Sequence, residues 1–372
     1  MPCARLLRGV LFASVLTLSC MAATPPTVHA EPRPSASATL IFGGDVLMHT
    51  PLWAQAERNA RRTTGRRGFD FRPMFDDVRS LISRADLAVC HLETPIAPRG
   101  ESLSTFPMFG VPREVVPALA DAGFDRCSTA SNHALDRRAA GIDATVNELL
   151  ANGISQTGMA RRAEEIRPTV IEVNGLRLAH LSYTFSYNGL QTPANEPWRS
   201  ALIDPRRIIR DARTARSMGA EAVIVSLHWG TEKRSEPNSY QIDIAERLMQ
   251  SPAISLIIGH HAHVVQPIED VNDKWVVFGL SNLISNLPSD ERWPAKSQDG
   301  LLVEFTLVRT PSGVSVSRPR AYATWVDKDA GWIVRLAANA ARDGSLPKRT
   351  SGSARDSLAR TAAIVGDFLV SP

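Results

Sequence analysis

From Ala38 onward, short apolar runs alternate with amphipathic stretches. Thr39–Phe42 predicts a strand ending at Gly43-Gly44-Asp45, and Pro73–Arg84 a helix with Phe75, Val78, Leu81 and Ile82 on one face. Asp86–His91 and Phe124–Thr129 predict further strands. Pro112–Ala122, with proline in its first turn, and Gly141–Asn152 predict helices. Thr169–Val173 and Leu176–Tyr183 read as a hairpin turning at Asn174-Gly175. The second half repeats the rhythm. Asp204 caps a predicted helix from Pro205 to about Met218, and Ala222–Leu227 and Ile254–Ile258 are buried-type strands flanking a helix at Tyr240–Gln250. Val264–Glu269, Lys274–Leu280, Leu301–Val308 and Val314–Tyr322 continue the β character. Ser351–Leu369 predicts an amphipathic terminal helix after a polar linker. Alternating strands and helices, with β-rich hairpins in both halves, predict an α/β fold with mixed sheets. The expected organisation is one domain over residues 38–330, then a linker and C-terminal helix over 331–372.

Polar chemistry collects where the apolar runs stop. The successive strands end at Asp45, at Glu93, at Ser131-Asn132-His133, at His228, and at Gly259-His260-His261-Ala262-His263. The chain has nine histidines, so three within four residues is a concentrated choice. An extended segment would place His261 and His263 on one side, within reach of one ion. Singly, each residue reads blandly: a strand-end aspartate caps helices, and a lone histidine is usually a satisfied polar group. In open α/β sheets, however, the carboxyl ends of strands converge on one crevice. Two carboxylates, an amide and several imidazoles there suit one or two divalent ions such as Zn, Mn or Fe.

Composition sets the compartment and excludes a class of partner. With 372 residues, 44% hydrophobic and 22% charged, the chain is ordinary globular material. Residues 1–30 read as an export signal: Arg5 and Arg8 lead, Val10–Leu18 is too short to span a bilayer, and Val28-His29-Ala30 is a small-residue exit. A rival exit at Leu16-Thr17-Leu18-Ser19-Cys20 would make a lipoprotein anchored through Cys20. Residues 31–37 form a Pro/Ser linker. Removing Arg5 and Arg8 from 42 basic residues leaves 40 against 38 acidic ones, about +2, with no concentrated basic face for nucleic acid. Cys90 and Cys127 then remain after cleavage at Ala30. Buried free thiols are the favoured expectation for them, with one bridge between neighbouring strands as the alternative.

Five segments in order carry a family resemblance: Gly43-Gly44-Asp45-Val46-Leu47, His91-Leu92-Glu93-Thr94-Pro95, Ser131-Asn132-His133-Ala134-Leu135-Asp136, Leu227-His228-Trp229-Gly230 and Gly259-His260-His261-Ala262-His263. Over residues 38–310 the chain resembles the CapA-type capsule-synthesis proteins, associated with poly-γ-glutamate production and retention. That family is similar in fold to calcineurin-like metallophosphoesterases, which implies a β-sandwich flanked by helices in four αββα layers. The resemblance implies that Asp45 holds one metal and that Glu93 bridges two. Asn132, His228 and one of His261 or His263 complete the second site, the other histidine serving the first. It implies His133 as general acid, oriented by Asp136; His260, Arg66 and Arg67 are expected as substrate contacts. Departures are visible. Leu47 replaces the phosphoesterase histidine, with His49 two residues further on; Ser131 replaces an asparagine, Arg137-Arg138 an aromatic and a glycine, and Ser281 a glycine.

Two segments stay open. Arg58, Arg61, Arg62, Arg66, Arg67 and Arg72 are either a solvated basic loop or a surface for an anionic polymer. Thr184–Trp198 is either a loop over the site or plain connection. The functional expectation is an exported protein of capsule polymer synthesis, retention or processing with a metal-dependent hydrolase or transferase site. Its partners would be an anionic, poly-γ-glutamate-like polymer and a membrane-bound synthase. The alternatives are a non-enzymatic accessory that binds polymer or synthase, and a general metal-dependent phosphoesterase.

Overall fold

Alternation within β1 explains the layering: Leu40 and Phe42 face one apolar core while Ile41 faces another. The computed structural model describes residues 35–370 apart from Arg66 and Ser289. The expected export signal, Cys20, Arg66 and most of the 31–37 linker therefore lie outside the described residues. The first half contains β1 (Ser37–Val46), α1 (Thr50–Thr64), α2 (Asp76–Ile82), β2 (Leu87–Leu92), α3 (Val115–Ala122), β3 (Arg126–Ser128), α4 (Arg138–Ala151), β4 (Ser155–Thr157), β5 (Val170–Val173) and β6 (Leu176–Thr184). Then come α5 (Pro205–Ser217), β7 (Ala222–His228), α6 (Ser239–Met249), β8 (Leu256–His260), β9 (Ile268–Asp270), β10 (Trp275–Val277) and β11 (Asn282–Ile284). The chain closes with β12 (Asp299–Thr310), β13 (Gly313–Val316), β14 (Arg320–Asp327), β15 (Ile333–Leu336), α7 (Ala337–Arg342) and α8 (Lys348–Val365).

Two mixed sheets result. One runs β15-β14-β12-β1-β2-β3-β4, with β11 added beside β1 and β13 beside β12; the other runs β5-β6-β7-β8-β10-β9. They face each other across a core that includes Phe42, Val89, Ile224, Ile258, Val303 and Phe305. Helices α2 and α3 cover the outer face of the first sheet through Val78, Leu81, Val116 and Leu119. Helices α5 and α6 cover the second through Ile208, Ala212, Ile244 and Leu248. The architecture is the expected α/β sandwich in four αββα layers. The β5–β6 hairpin turns at Asn174 and Gly175, both at positive φ, as a tight two-residue turn requires. Asp204 caps α5 by accepting from the Arg206 N–H at 2.9 Å. No described helix is long and apolar enough to cross a membrane.

Three differences from the expectations have physical causes. The first half of the arginine-rich stretch is the end of helix α1: Leu52, Trp53, Ala56 and Ala60 bury one face while Arg58, Arg61 and Arg62 take the solvent side. Residues 331–347 are more than a linker, since β15 pairs antiparallel with β14 and α7 follows it directly. Cys90 and Cys127 are joined by a disulfide, correcting the free-thiol expectation; parallel pairing of β2 with β3 sets them directly opposite one another.

Candidate metal centre

The carboxyl ends of β1, β2, β3, β7 and β8 bring their polar residues together across both sheets. The Asp45 N–H donates to the Ser281 carbonyl at 2.8 Å, which ties β1 to the segment before β11. Gly44 and Gly259 permit these approaches, because a Cβ on either would collide with a carbonyl oxygen, that of Ser281 or of Phe278. Ser281 itself sits at φ 61°, the left-handed conformation that makes glycine the easier residue there. β8 ends at His260, and the chain then turns, with His261 at φ 89° and His263 at φ 54°. The two rings converge through this turn and not through strand alternation.

Asp45 anchors the centre. Its Oδ1 lies 3.1 Å from His260 Nδ1, and its Oδ2 accepts the His261 backbone N–H at 3.0 Å and stands 3.4 Å from His263 Nδ1. Burial favours a neutral carboxyl, but the hydrogen bonds from His260 and His263 outweigh it and hold Asp45 well below its ordinary pKa. Burial pushes Glu93 well above its ordinary value, against the attraction of His263. His263 is also buried, yet the charge of Glu93 and the hydrogen bond to Asp45 raise it to about 9. Asn282 orients that ring: its Oδ1 is 2.9 Å from His263 Nδ1, while its amide nitrogen donates to Ser297 O at 3.0 Å. Burial lowers His261 to about 3 and holds His228 well below its ordinary value, so both present neutral imidazoles.

These residues fit a cation. Both Glu93 oxygens and His261 Nδ1 are buried without a hydrogen-bond partner. His263 Nε2 and His228 Nε2 face Glu93 Oε1 at 3.7 and 3.9 Å, too far for hydrogen bonds. His228 Nε2 is 2.9 Å from Asn132 Oδ1. Among the described residues, ligand atoms come within 4.8 Å of one another in three sets: Asp45, Glu93 and His263; Asp45, His91 and His228; and Glu232, His261 and His263. Carboxylate, amide oxygen and imidazole together are donors for divalent transition ions.

Beside the centre opens a cavity of about 470 Å³ lined in part by His49, His133, His263, Phe106, Phe109, Lys233, Arg292 and Trp293. His133 Nδ1 lies 2.7 Å from Asp136 Oδ2, which also accepts the Phe109 N–H at 2.7 Å. The Phe109 ring packs edge-on against His133. Arg137 ties the preceding loop down through Glu101, Ser102 O, Ser104 Oγ and Phe109 O. His49 does reach this cavity, and burial with the charge of His263 lowers it to about 4. The Phe185 ring lies 4.6 Å from the His261 ring, so the start of the Thr184–Trp198 segment packs against the centre.

The structure thus gathers Asp45, Glu93, Asn132, His228, His261 and His263, with His133 and Asp136 alongside. It does not place His260 with the substrate contacts: that ring is buried behind Asp45, stacked 4.0 Å from His91, and lines none of the cavity. Arg67 is exposed after α1 and also lines none of it. Sequence reasoning passed over His91, Asn282, Phe185 and Glu232. His91 stood in a segment that carried the resemblance, whereas nothing in the sequence singled out Phe185.

The chain is 27% identical over 283 residues to the PGA biosynthesis protein CapA of Bacillus subtilis (strain 168), covering 73% of this chain and 68% of that protein. It is 24% identical over 299 residues to the capsule biosynthesis protein CapA of Bacillus anthracis, covering 77% and 67%. The calcineurin-like phosphoesterase YfkN of Bacillus subtilis superposes with a TM-score of 0.45 at 11% identity, over 89% of this chain and 98% of that one. That superposition is too distant to decide the fold, which rests on the sheets and helices themselves. The profile described as bacterial capsule synthesis protein PGA_cap matches residues 39–287. The chain belongs to the bacterial capsule synthesis protein PGA_cap family.

Proposed function

We propose that this chain is an exported protein that acts in the synthesis, retention or processing of an anionic envelope polymer of the poly-γ-glutamate type, through a metal-dependent hydrolase or transferase site. Membership of the capsule-synthesis family supports the polymer class. The observation that carries the site is Glu93, whose two buried oxygens lack partners while imidazoles stand just beyond hydrogen-bond range. Asp45, Glu93, Asn132, His228, His261 and His263 hold one or two divalent ions, Zn, Mn or Fe. A divalent ion held there supplies Lewis-acid polarisation and charge stabilisation. Asp136 holds His133 by Nδ1, which leaves Nε2 to hand a proton to a leaving group. Lys233 and Arg292 put positive charge on the cavity wall, where the polymer's carboxylates would lie. Lys233 Nζ stands 4.5 Å over the Trp293 ring, and its backbone N–H donates to Ala262 O at 2.8 Å, which fixes it beside the histidine turn. Export by the leader, with Cys20 as the lipoprotein alternative, would set this site beside a membrane-bound synthase.

The test is metal content of residues 31–372 by mass spectrometry, beside the His228→Ala, His261→Ala double variant. About one or two equivalents of ion, lost in the variant, support the ligand set. Phosphoester and γ-glutamyl substrates are then screened, and phosphate release from simple esters alone would favour a general phosphoesterase. A protein that stays empty when Zn or Mn is offered sinks the hydrolase reading. Buried Leu47, which offers no donor where the phosphoesterase pattern has histidine, favours a second reading. In it the cavity holds polymer, or engages the synthase, without turnover, and substitutions in the cavity wall weaken binding only.

A further inference from the structure

His91 lies at the heart of the buried centre with no part in the reading above. Its Nδ1 is 2.9 Å from Ser128 Oγ and its Nε2 is 2.9 Å from His228 Nδ1. Ser128 Oγ also lies 3.3 Å from the Cys90 carbonyl, and His228 Nε2 lies 2.9 Å from Asn132 Oδ1. The groups therefore stand in series, from a backbone carbonyl to a candidate ligand. The Cys90–Cys127 disulfide closes the rung next to the His91–Ser128 rung and holds β2 against β3 at that point.

With neutral rings, each link carries one hydrogen, so the series has two consistent directions. Running outward, Ser128 O–H donates to His91 Nδ1, His91 Nε2–H donates to His228 Nδ1, and His228 Nε2–H donates to Asn132 Oδ1. Running inward, His228 Nδ1–H donates to His91 Nε2, His91 Nδ1–H donates to Ser128 Oγ, and Ser128 O–H donates to the Cys90 carbonyl. Both directions satisfy His91, and the outward one also satisfies His228 Nε2 through Asn132 Oδ1. Only the inward one leaves a lone pair on His228 Nε2, beside Asn132 Oδ1 and 3.9 Å from Glu93 Oε1. An imidazole needs that lone pair to bind an ion, and the hydrogen bond on its other nitrogen sets which tautomer is present.

We propose that His91 is a positioning residue that sets the tautomer of His228, and that the Ser128–His91–His228 series runs outward without a divalent cation and inward with one. The reversal conserves protons: one leaves His228 Nε2 for water, one reaches Ser128 Oγ from water, and the two between move one link each. A histidine suits the middle position because either of its nitrogens can accept while the other donates. This inference rests on the cation reading of the site.

The experiment uses the full domain with Zn²⁺ and with Mn²⁺, measuring affinity and ion count by calorimetry for the wild type, His91→Leu and His91→Gln. Nitrogen-15 spectra of labelled histidines report the tautomers in the wild type. Leucine removes the acceptor for His228 Nδ1–H, so affinity falls about 10–100-fold with the ion count unchanged. Glutamine can accept from His228 and donate to Ser128, and it restores affinity to within a few-fold. The His228 signal moves from the Nε2–H to the Nδ1–H form on loading. A folded His91→Leu protein with wild-type affinity overturns the inference, as does a His228 tautomer that stays the same. Loss of a whole equivalent of ion in His91→Leu overturns it too, by making His91 a ligand. If His91→Leu does not fold, the glutamine variant and the wild-type spectra decide. A wild type that binds no ion overturns both this inference and the cation reading. A wild type that binds, with His91→Leu unaffected, overturns this inference alone.

Discussion

Replacing Glu93 by methionine probes the site through stability, without needing a substrate. Glu93 is fully buried, and neither carboxylate oxygen has a hydrogen-bond partner. An unsatisfied buried polar group costs about 1–3 kcal/mol. Methionine has nearly the same length and no such acceptor, and His263 keeps Asp45 as its partner. Taking roughly 2 kcal/mol for the whole group, the cation-free variant should be more stable than the wild type by that amount. The unit from Ser35 to Pro372 spans about 340 residues. At about 2.1 cal/mol/K per residue, its unfolding entropy is roughly 0.7 kcal/mol/K, so Tm rises by about 3 °C.

Cation reverses the order. An ion at about 100 times its Kd stabilises a protein that binds it by about 2.7 kcal/mol, or roughly 4 °C for this chain. The wild type should gain that shift and the methionine variant should lose most of it. Scanning calorimetry of both proteins in chelator and in Zn²⁺ or Mn²⁺ should therefore give crossing Tm values. A variant that melts below the wild type in chelator would refute the claim that Glu93 is a stability cost in the empty site. A variant that keeps the full cation shift would remove Glu93 from the ligand set.

Three further outcomes follow from the same geometry. The Cys90–Cys127 bond closes a separation of 37 residues, worth about 4 kcal/mol of denatured-state entropy, so the Cys90→Ala, Cys127→Ala variant should lose about that much in urea unfolding; a loss under about 1 kcal/mol would refute the constraint. Gly44→Ala puts a Cβ into the Ser281 carbonyl, so it should destabilise the fold by about 1–3 kcal/mol and weaken cation uptake in a titration, whereas unchanged values would show that β1 and the segment before β11 can separate freely. The hydrogen bonds of Arg161 hold Glu165 at about 2, below its ordinary 4.5. That stabilisation is present above about 4.5 and lost as pH falls through about 2. Urea midpoints should therefore fall more steeply with acid in the wild type than in Glu165→Gln, and parallel profiles would exclude the linkage.

The convergence of the site was legible because it depends on strand polarity. Apolar runs such as Ala222–Leu227 and Ile254–Ile258 announce buried strands, and parallel neighbours necessarily end along one edge. Asp45 could therefore be set beside Glu93, and His228 beside the histidine turn, without knowing a single contact, while joining the two pairs depends on how the two sheets face each other. Reading His261 and His263 as an alternating pair gave the right convergence for the wrong reason, since positive φ angles after β8 aim the rings. Other features depended on register or on distant partners. The disulfide requires Cys90 to oppose Cys127, and a one-residue slip between β2 and β3 would have turned the two thiols to opposite faces. Helix α1 was masked because its buried face is largely alanine and Asn59, which is buried by donating to Asp70 O eleven residues away. His91 was the least legible of all. Its sequence neighbours explain only where its backbone lies, while its chemistry is set by Ser128 and by His228, 37 and 137 residues further along the chain. A ligand can be suspected from residue type and strand position, but the residue that orients a ligand is defined by what its other side touches.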